Sequence, residues 1–378
     1  MILDMIFGSL AGLSIALVLW QWVVALLFPL HRRTADGSFT PDLTLLKPLK
    51  GCDEYSEACL RSWFTQKYAG RVQIIFGVAK AEDPVCAMVE KLIKEFPKCD
   101  ARLMLCENLT GANAKVSKLA RMEAEAKHEL VVVSDADVWV PEDFLANVVG
   151  PLKDGNIGLV NCFYRLANPA TMAMRWEAVA INADFWSQVL QSRTLKPLDF
   201  ALGAVMVTRR KKLVEIGGFK ALENCLADDY QLGNRIARHG HTIELSPVVV
   251  ECRSSPMNWG EVWRHQLRWA RTIRVCQPAP YFFSILSNAT LWALLWLAVQ
   301  PTEPVLGYVM GIIIIRILVA WDLQNRLTGI TKWRQHSWLV PVKDLLQAAI
   351  WVCAFTGSGV EWRGQKFRVR KDGTLEKV

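Results

Sequence analysis

Hydrophobic and polar positions divide the chain into three regimes. Residues 5–28 carry no ionisable side chain, and 24 residues at 1.5 Å rise reach about 36 Å, enough to cross a bilayer core with some tilt. A second apolar block begins after residue 281. Residues 282–299 read as one span, the link Gln300-Pro-Thr-Glu-Pro304 turns the chain, and residues 305–321 return, which predicts a helical hairpin. Between residues 34 and 281 short apolar runs alternate with amphipathic segments. Strands are expected at 43–49, 72–78, 102–106, 130–134, 158–162 and 204–208, with helices at 56–66, 84–96, 115–127 and 142–152. Strand alternating with helix implies an α/β domain with a largely parallel sheet and helices on its faces.

Charge orders these segments across a membrane. Asp4 precedes the first apolar run, and His31, Arg32 and Arg33 follow it, which predicts an uncleaved anchor with its N-terminus outside and the next segment in the cytosol. The hairpin link holds no lysine or arginine, whereas Arg326, Lys332 and Arg334 come after the hairpin, in agreement with that orientation. Arg316 interrupts the returning span; it either faces a polar site between helices or snorkels to the interface. Residues 338–355 are apolar but broken by Pro341, Lys343 and Asp344, and Arg363, Lys366, Arg368, Arg370 and Lys371 follow. An interfacial or re-entrant helix is expected there, with a fourth span as the alternative. The expected division is an anchor at 1–30, a cytosolic α/β domain at 34–281, a transmembrane hairpin at 282–325, and an interfacial helix with a basic cytosolic tail at 326–378.

Composition narrows the class. Apolar residues make up 52% of the 378 and charged residues 21%, which excludes intrinsic disorder. The formal charge of +8 favours phosphates, anionic headgroups or nucleic acid without choosing among them. Sixteen tryptophans suit a membrane interface, where one ring end is apolar and the other wet. The ten cysteines show no CxxC pair, so reduced thiols are expected rather than a zinc site or disulfide framework.

In parallel sheets ligands gather beyond the carboxyl ends of the strands, so residues directly after strands carry the candidate chemistry. Asp83 lies in the loop after the 72–78 run. Asp135 and Asp137 follow Val131-Val-Val133; in an extended segment positions i and i+2 share a side, so both can offer oxygens to Mg²⁺ or Mn²⁺ while leaving places for substrate phosphates. The bland alternative is a helix cap and a solvated loop residue. Asp228 and Asp229 open a helix, where one can cap and the other act as a general base. Arg264-His-Gln-Leu-Arg-Trp269 sits on a helix expected at 260–276, with Arg268 offering a planar fork for phosphate and Trp269 an apolar face for a sugar or lipid. A plain juxtamembrane anchor has the same composition. His239-Gly-His241 and Asn288-Ala-Thr290 carry no expected function.

In order, Asp83, Asp135-Ala-Asp137, Asp229 and the Arg268-Trp269 pair resemble the D, DxD, D, (Q/R)xxRW signature of membrane glycosyltransferases with the GT-A nucleotide-diphospho-sugar transferase fold. Within that group the chain is most similar to the ceramide glucosyltransferase family and its bacterial and hopanoid-associated relatives. Further likeness lies in Leu46-Lys-Pro-Leu-Lys-Gly51, Asn113-Ala-Lys-Val116, Gly217-Gly-Phe219, Ala227-Asp-Asp-Tyr230 and the tail from Trp362 to Arg370. The departure is His265 at the first position of (Q/R)xxRW, with Arg264 and Gln266 as neighbours that can substitute.

The resemblance implies the following roles. Asp83 holds the uridine, and Lys47 lines the same pocket. Asp135 and Asp137 serve the diphosphate through a divalent cation, Mn²⁺ or Mg²⁺, with Lys115 near the nucleotide. Asp229 is the base on the acceptor hydroxyl with Asp228 beside it, and His265, Gln266, Arg268 and Trp269 close over diphosphate and acceptor. The implied reaction moves a hexose from a UDP-sugar to a membrane-lipid hydroxyl with inversion, the partners being that donor, the lipid and the bilayer, with no nucleic acid. Hopanoid glycosylation from UDP-N-acetylglucosamine, a processive polysaccharide synthase and a non-enzymatic lipid-binding or transport protein are the rivals. The last would need polar groups at mid-membrane, whereas the acids cluster in the middle segment.

Overall fold

The computed structural model describes residues 2–329, 336–362, 365–370 and 372–377. After α1 (Ile2–Leu27) the chain alternates through β1 (Leu43–Pro48), α2 (Ser56–Phe64), β2 (Val72–Val78), α3 (Val85–Glu95), β3 (Asp100–Leu105), α4 (Ala114–Ala124) and β4 (Leu130–Ser134). The short β5 (Val138–Trp139) and α5 (Phe144–Val149) lead into β6 (Ile157–Leu166), and α6 (Met172–Val179) passes through a π-helical stretch at Ala180–Phe185 into α7 (Trp186–Leu195). Next come β7 (Val205–Arg209), α8 (Arg210–Glu215), α9 (Asp228–Arg238) and β8 (Thr242–Cys252). These strands form one eight-stranded sheet of order β3-β2-β1-β4-β7-β6-β8-β5.

Strands β1 to β4 pair in parallel, and β7 runs antiparallel between β4 and β6. Burial on both faces explains why β1 and β4 are mostly apolar: Leu46, Val131 and Val133 point into the layer of α4 and α7, while Leu43, Leu45 and Val132 point into the layer of α2 and α3. Each such side chain contributes about 1.5–3 kcal/mol of burial. The expected strands and helices of this half stand where the periodicity puts them. The longest strand, β8, escapes the sequence reading because Pro247 interrupts it; pairing with β6 steps from Ser246 to Val250, and the irregularity accommodates the proline.

The remaining chain forms α10 (Trp259–Cys276), α11 (Pro278–Phe283), α12 (Ala289–Val299), α13 (Glu303–Thr328), α14 (Leu339–Phe355), and an antiparallel trio β9 (Gly359–Trp362), β10 (Gln365–Val369) and β11 (Leu375–Lys377). Two helices, α1 and α13, are each long and apolar enough to cross a membrane. The stretch expected as a second straight span is bent by 56° between Pro278–Ser287 and Ala289–Val299. Asn288 sits at the break, accepting from the Leu291 amide and donating to the Asp344 carbonyl. Trp296 donates to Asp4 at 2.9 Å and Trp22 to Asp322 at 2.8 Å, fastening α12 and α13 to α1.

Of the two readings of Arg316, the polar site is the one found. Its guanidinium is buried between Asp184 at 2.8 Å and Asp344 at 2.9 Å, with Lys343 paired to both acids and Thr290 donating to Asp344. The 326–378 segment also differs from a free basic tail. Val360, Phe367, Val369 and Leu375 pack on Leu226, and the Leu375 amide donates to the Asn224 carbonyl at 2.7 Å. Lys332, Arg334, Arg363 and Lys371, used above to orient the chain, lie outside the described residues.

Candidate active site

Because β1, β2 and β4 run in parallel register, with Leu46 level with both Ile75 and Val133, the loops holding Asp83 and Asp135 leave the sheet at the same edge. The turn after β4 is fastened from both sides. The Asp135 amide donates to the Ala204 carbonyl at 3.2 Å, and the Asp137 carbonyl accepts from the Arg253 amide and from the Cys59 thiol. Lys47 completes this support and departs from its expected place. It is wholly buried, and its ammonium donates to the Asp135 carbonyl at 2.6 Å and lies 5.0 Å from the Trp63 ring. Burial pushes it down to about 8. Lys47 therefore holds the Asp135 turn from beneath rather than lining a nucleotide pocket, because a lysine at an inward position of a central strand cannot reach solvent.

Lys115 joins the acids. Asn113 caps α4 by accepting from the Lys115 and Val116 amides, which sets the lysine one residue inside the helix. Its ammonium then meets Asp135 at 2.7 Å and Asp228 at 3.0 Å. Burial alone would lower its pKa, but the two carboxylates outweigh that and leave it raised. Asp228 and Asp229 lie in the first turn of α9, yet neither caps it from the N-cap position, which Ala227 occupies without a side-chain bond. Asp228 is spent on Lys115. Asp229 accepts from its neighbour's amide, Tyr230, at 2.8 Å, and burial together with Asp228 raises it to about 6 against the pull of Lys115. A methyl group on Gly203 would stand 2.7 Å from the Asp229 carboxylate. The Gly203-Ala204 pair thus touches Asp229 through one residue and the Asp135 turn through the next.

Asp83 makes a separate contact at that edge. Both its oxygens accept from the Gly51 amide at 3.0 Å, and one accepts from Val85. Gly51 has φ +65°, a conformation that favours glycine, so Asp83 fixes the loop after β1.

Helix α10 opens with a capping box, Asn258 with Glu261, and carries the aromatic and cationic positions on different faces. His265 and Gln266 both reach Glu177 of α6, at 2.7 and 2.8 Å to one buried oxygen. His265 packs edge-on against Trp269 at 4.7 Å, and Trp269 lies against Tyr164 and Phe185. Arg268 turns instead to a cleft formed with the tail strands. Glu177 anchors two consecutive motif residues, and nothing in its sequence neighbourhood signals it: the pairing spans 88 residues and exists only because α6 crosses α10.

Asp135 and Asp137 lie in the turn between β4 and β5 rather than in the extended segment expected, with Asp135 held by Lys115. Among the described residues no three His, Cys, Asp or Glu side chains converge on one point. A cation held there would need substrate phosphates and water to complete its shell, as Mg²⁺ and Mn²⁺ accept. His241 meets Glu215 and His239 its own helix, a structural use for both.

The sequence profile described as "Glycosyl transferase family 21" matches residues 5–375. The chain belongs to this family. A ceramide glucosyltransferase of Candida albicans is 33% identical over 135 residues, covering 33% of this chain and 25% of that protein. Ceramide glucosyltransferase 3 of Caenorhabditis elegans is 23% identical over 247 residues, 65% of this chain and 53% of that protein. The family 21 chain thus matches about half or less of the length of these curated relatives. A solved mannosyltransferase from Pyrobaculum calidifontis, in complex with GDP-Man and Mn²⁺, is similar with a TM-score of 0.57, over 94% of this chain and 98% of that one, at 17% identity. That likeness shows the fold, the GT-A arrangement expected from the motif order. The flanking apolar helices, α1 and α13, are part of the same family 21 match.

Proposed function

We propose that this family 21 chain is an inverting glycosyltransferase that moves a hexose from a UDP-sugar to the hydroxyl of a membrane lipid, ceramide being the acceptor favoured by the named relatives. The observation that carries the reading is the junction of Asp135, Lys115, Asp228 and Asp229, contributed by three separate segments, at the carboxyl edge of the sheet. Asp229, raised to about 6, is ionised at neutral pH yet basic enough to take the proton from a hydroxyl as its oxygen bonds to the anomeric carbon. The bond from that carbon to the diphosphate oxygen breaks, and Lys115 offsets the charge on the departing UDP. Asp135 and Asp137 would hold a divalent cation, which would supply Lewis-acid neutralisation of the diphosphate. Asp83, bound to the loop after β1, shapes the nucleoside side. Helix α10 is followed after Gln277 by α11 and the apolar helices, which supports a lipid hydroxyl as the acceptor that reaches Trp269. In the orientation that the charges favour, this domain faces the cytosol.

The test is mass spectrometry of lipids from membranes carrying the full chain, incubated with individual UDP-sugars and Mn²⁺. A β-hexosyl lipid is expected with the native chain. With Asp229→Asn, transfer should fall by at least about a hundredfold while UDP binding persists. Unchanged turnover in that variant removes Asp229 as the base, and product on a hopanoid or on a growing polymer overturns the ceramide assignment.

A further inference from the structure

The cationic face of α10 and the tail strands enclose a cleft of about 700 Å³. Among its lining residues are Arg264, Arg268, Arg271, Lys366 and Arg368, set against one carboxylate, Glu361. Arg264, Arg268 and Arg271 recur at helical spacing on one face of α10, and Lys366 and Arg368 share one side of β10, so two rows of positive charge confront each other. Folding alone gives little reason for such crowding. Arg271 and Arg274 donate to the Gly359 and Gly357 carbonyls, but the Nε of each is buried with no hydrogen-bond partner among the described residues. Burial, and then the neighbouring Arg274, lower the pKa of Arg271. An anion in the cleft would offset the charge that Arg271 shares with its cationic neighbours.

The cleft borders an exposed aromatic group. The Arg274 guanidinium lies 5.5 Å from the Phe355 ring, which neighbours Phe282 at 6.4 Å, and Phe282, Phe283 and Phe355 are all exposed. Arginines beside a bare aromatic ledge match an amphiphile with a negative head and apolar tails, and a soluble nucleotide has no use for the ledge. We propose that this cleft binds the phosphate of an anionic glycerophospholipid, with its acyl chains over Phe282 and Phe355. The site is distinct from the acceptor site, since the acceptor proposed above is neutral, and its test does not depend on that proposal because it reads lipid retention rather than transfer.

The experiment is native mass spectrometry of the delipidated full chain in detergent, titrated with phosphatidylglycerol or phosphatidylcholine, each with and without saturating UDP and Mn²⁺. Phosphatidylglycerol should be retained about tenfold more than phosphatidylcholine and stay bound in the presence of UDP. Lys366→Glu with Arg368→Glu, both at exposed positions, should lower that retention by about tenfold or more. Lys366→Gln with Arg368→Gln is the milder pair should the reversal disturb folding, as judged by thermal melting. Equal retention of the two lipids, retention unchanged in a folded variant, or displacement by UDP each overturns the proposal, the last by giving the cleft to the nucleotide's diphosphate.

Discussion

At the scale of single residues the site sets function against stability. The fold raises Asp229 from 3.8 to about 6 through burial and the charge of Asp228, so the folded chain prefers the protonated acid more than the unfolded chain does. Stability from this group is present below about pH 4 and is lost as pH rises through about 6, whereas the base works only above about 6. The turnover rate should therefore fall as pH drops through about 6, a limb that initial-rate measurements across pH 5–8 would reveal; a flat profile there removes Asp229 from the rate. The same sign predicts that Asn at 229 melts at a higher temperature than the native chain at pH 8 while losing transfer. Asp137→Ala has a different signature: UDP affinity in Mn²⁺ should fall at least about tenfold, and affinity without metal should hold, as calorimetry would show. Asp135, Asp137, Asp228 and Asp229 were singled out by their order along the chain, since each taken alone has the ordinary reading of a helix cap or a solvated loop acid. Lys47 was misplaced because a strand position reports which side a residue takes, not whether the space there is open.

At the scale of elements, the α6–α7 unit is what connects the site to the apolar helices. Glu177 holds His265 and Gln266, Phe185 touches Trp269, and Asp184, in the π-helical stretch between α6 and α7, pairs with Arg316 of α13. A π-helical stretch re-aims side chains relative to an unbroken helix, and here Asp184 and Phe185 serve two different neighbours. Arg316→Met leaves two buried carboxylates with Lys343 alone and should cost about 3–5 kcal/mol, read by denaturation in detergent. Arg316→Met combined with Asp184→Asn should recover part of that loss, and no difference between single and double variants would mean that the cluster does not act as a unit. Neither the bend at Asn288 nor this cluster could be read from hydropathy, which scores polar groups as interruptions and knows nothing of their partners.

At the scale of the whole molecule, the tail strands brace the loop that presents Asp228 and Asp229. Leu226 is covered by Val360, Phe367, Val369 and Leu375, and the Leu226 amide donates to Gly373. Ending the chain at residue 356 would uncover Leu226 and part of α10. Hydrogen exchange over residues 222–230 should then speed up about tenfold or more, with the parallel strands β1 to β4 unchanged. Equal protection in the shortened chain would show that the tail merely rests on the domain.

The sequence by itself determined the alternating α/β core, the apolar character of the flanking helices, and the order of acids that tied the chain to family 21. These follow from local rules, a period of two or of 3.6 and a carboxylate just past a strand, which neighbouring residues fully express. Tertiary structure alone decided that Lys115 bridges Asp135 and Asp228, that Glu177 carries His265 and Gln266, and that the basic tail folds back on α10. Each of those depends on segments far apart in the chain meeting at hydrogen-bond distance, and the free energy of burying a charge, which makes its partner obligatory, does not say which distant residue the partner will be.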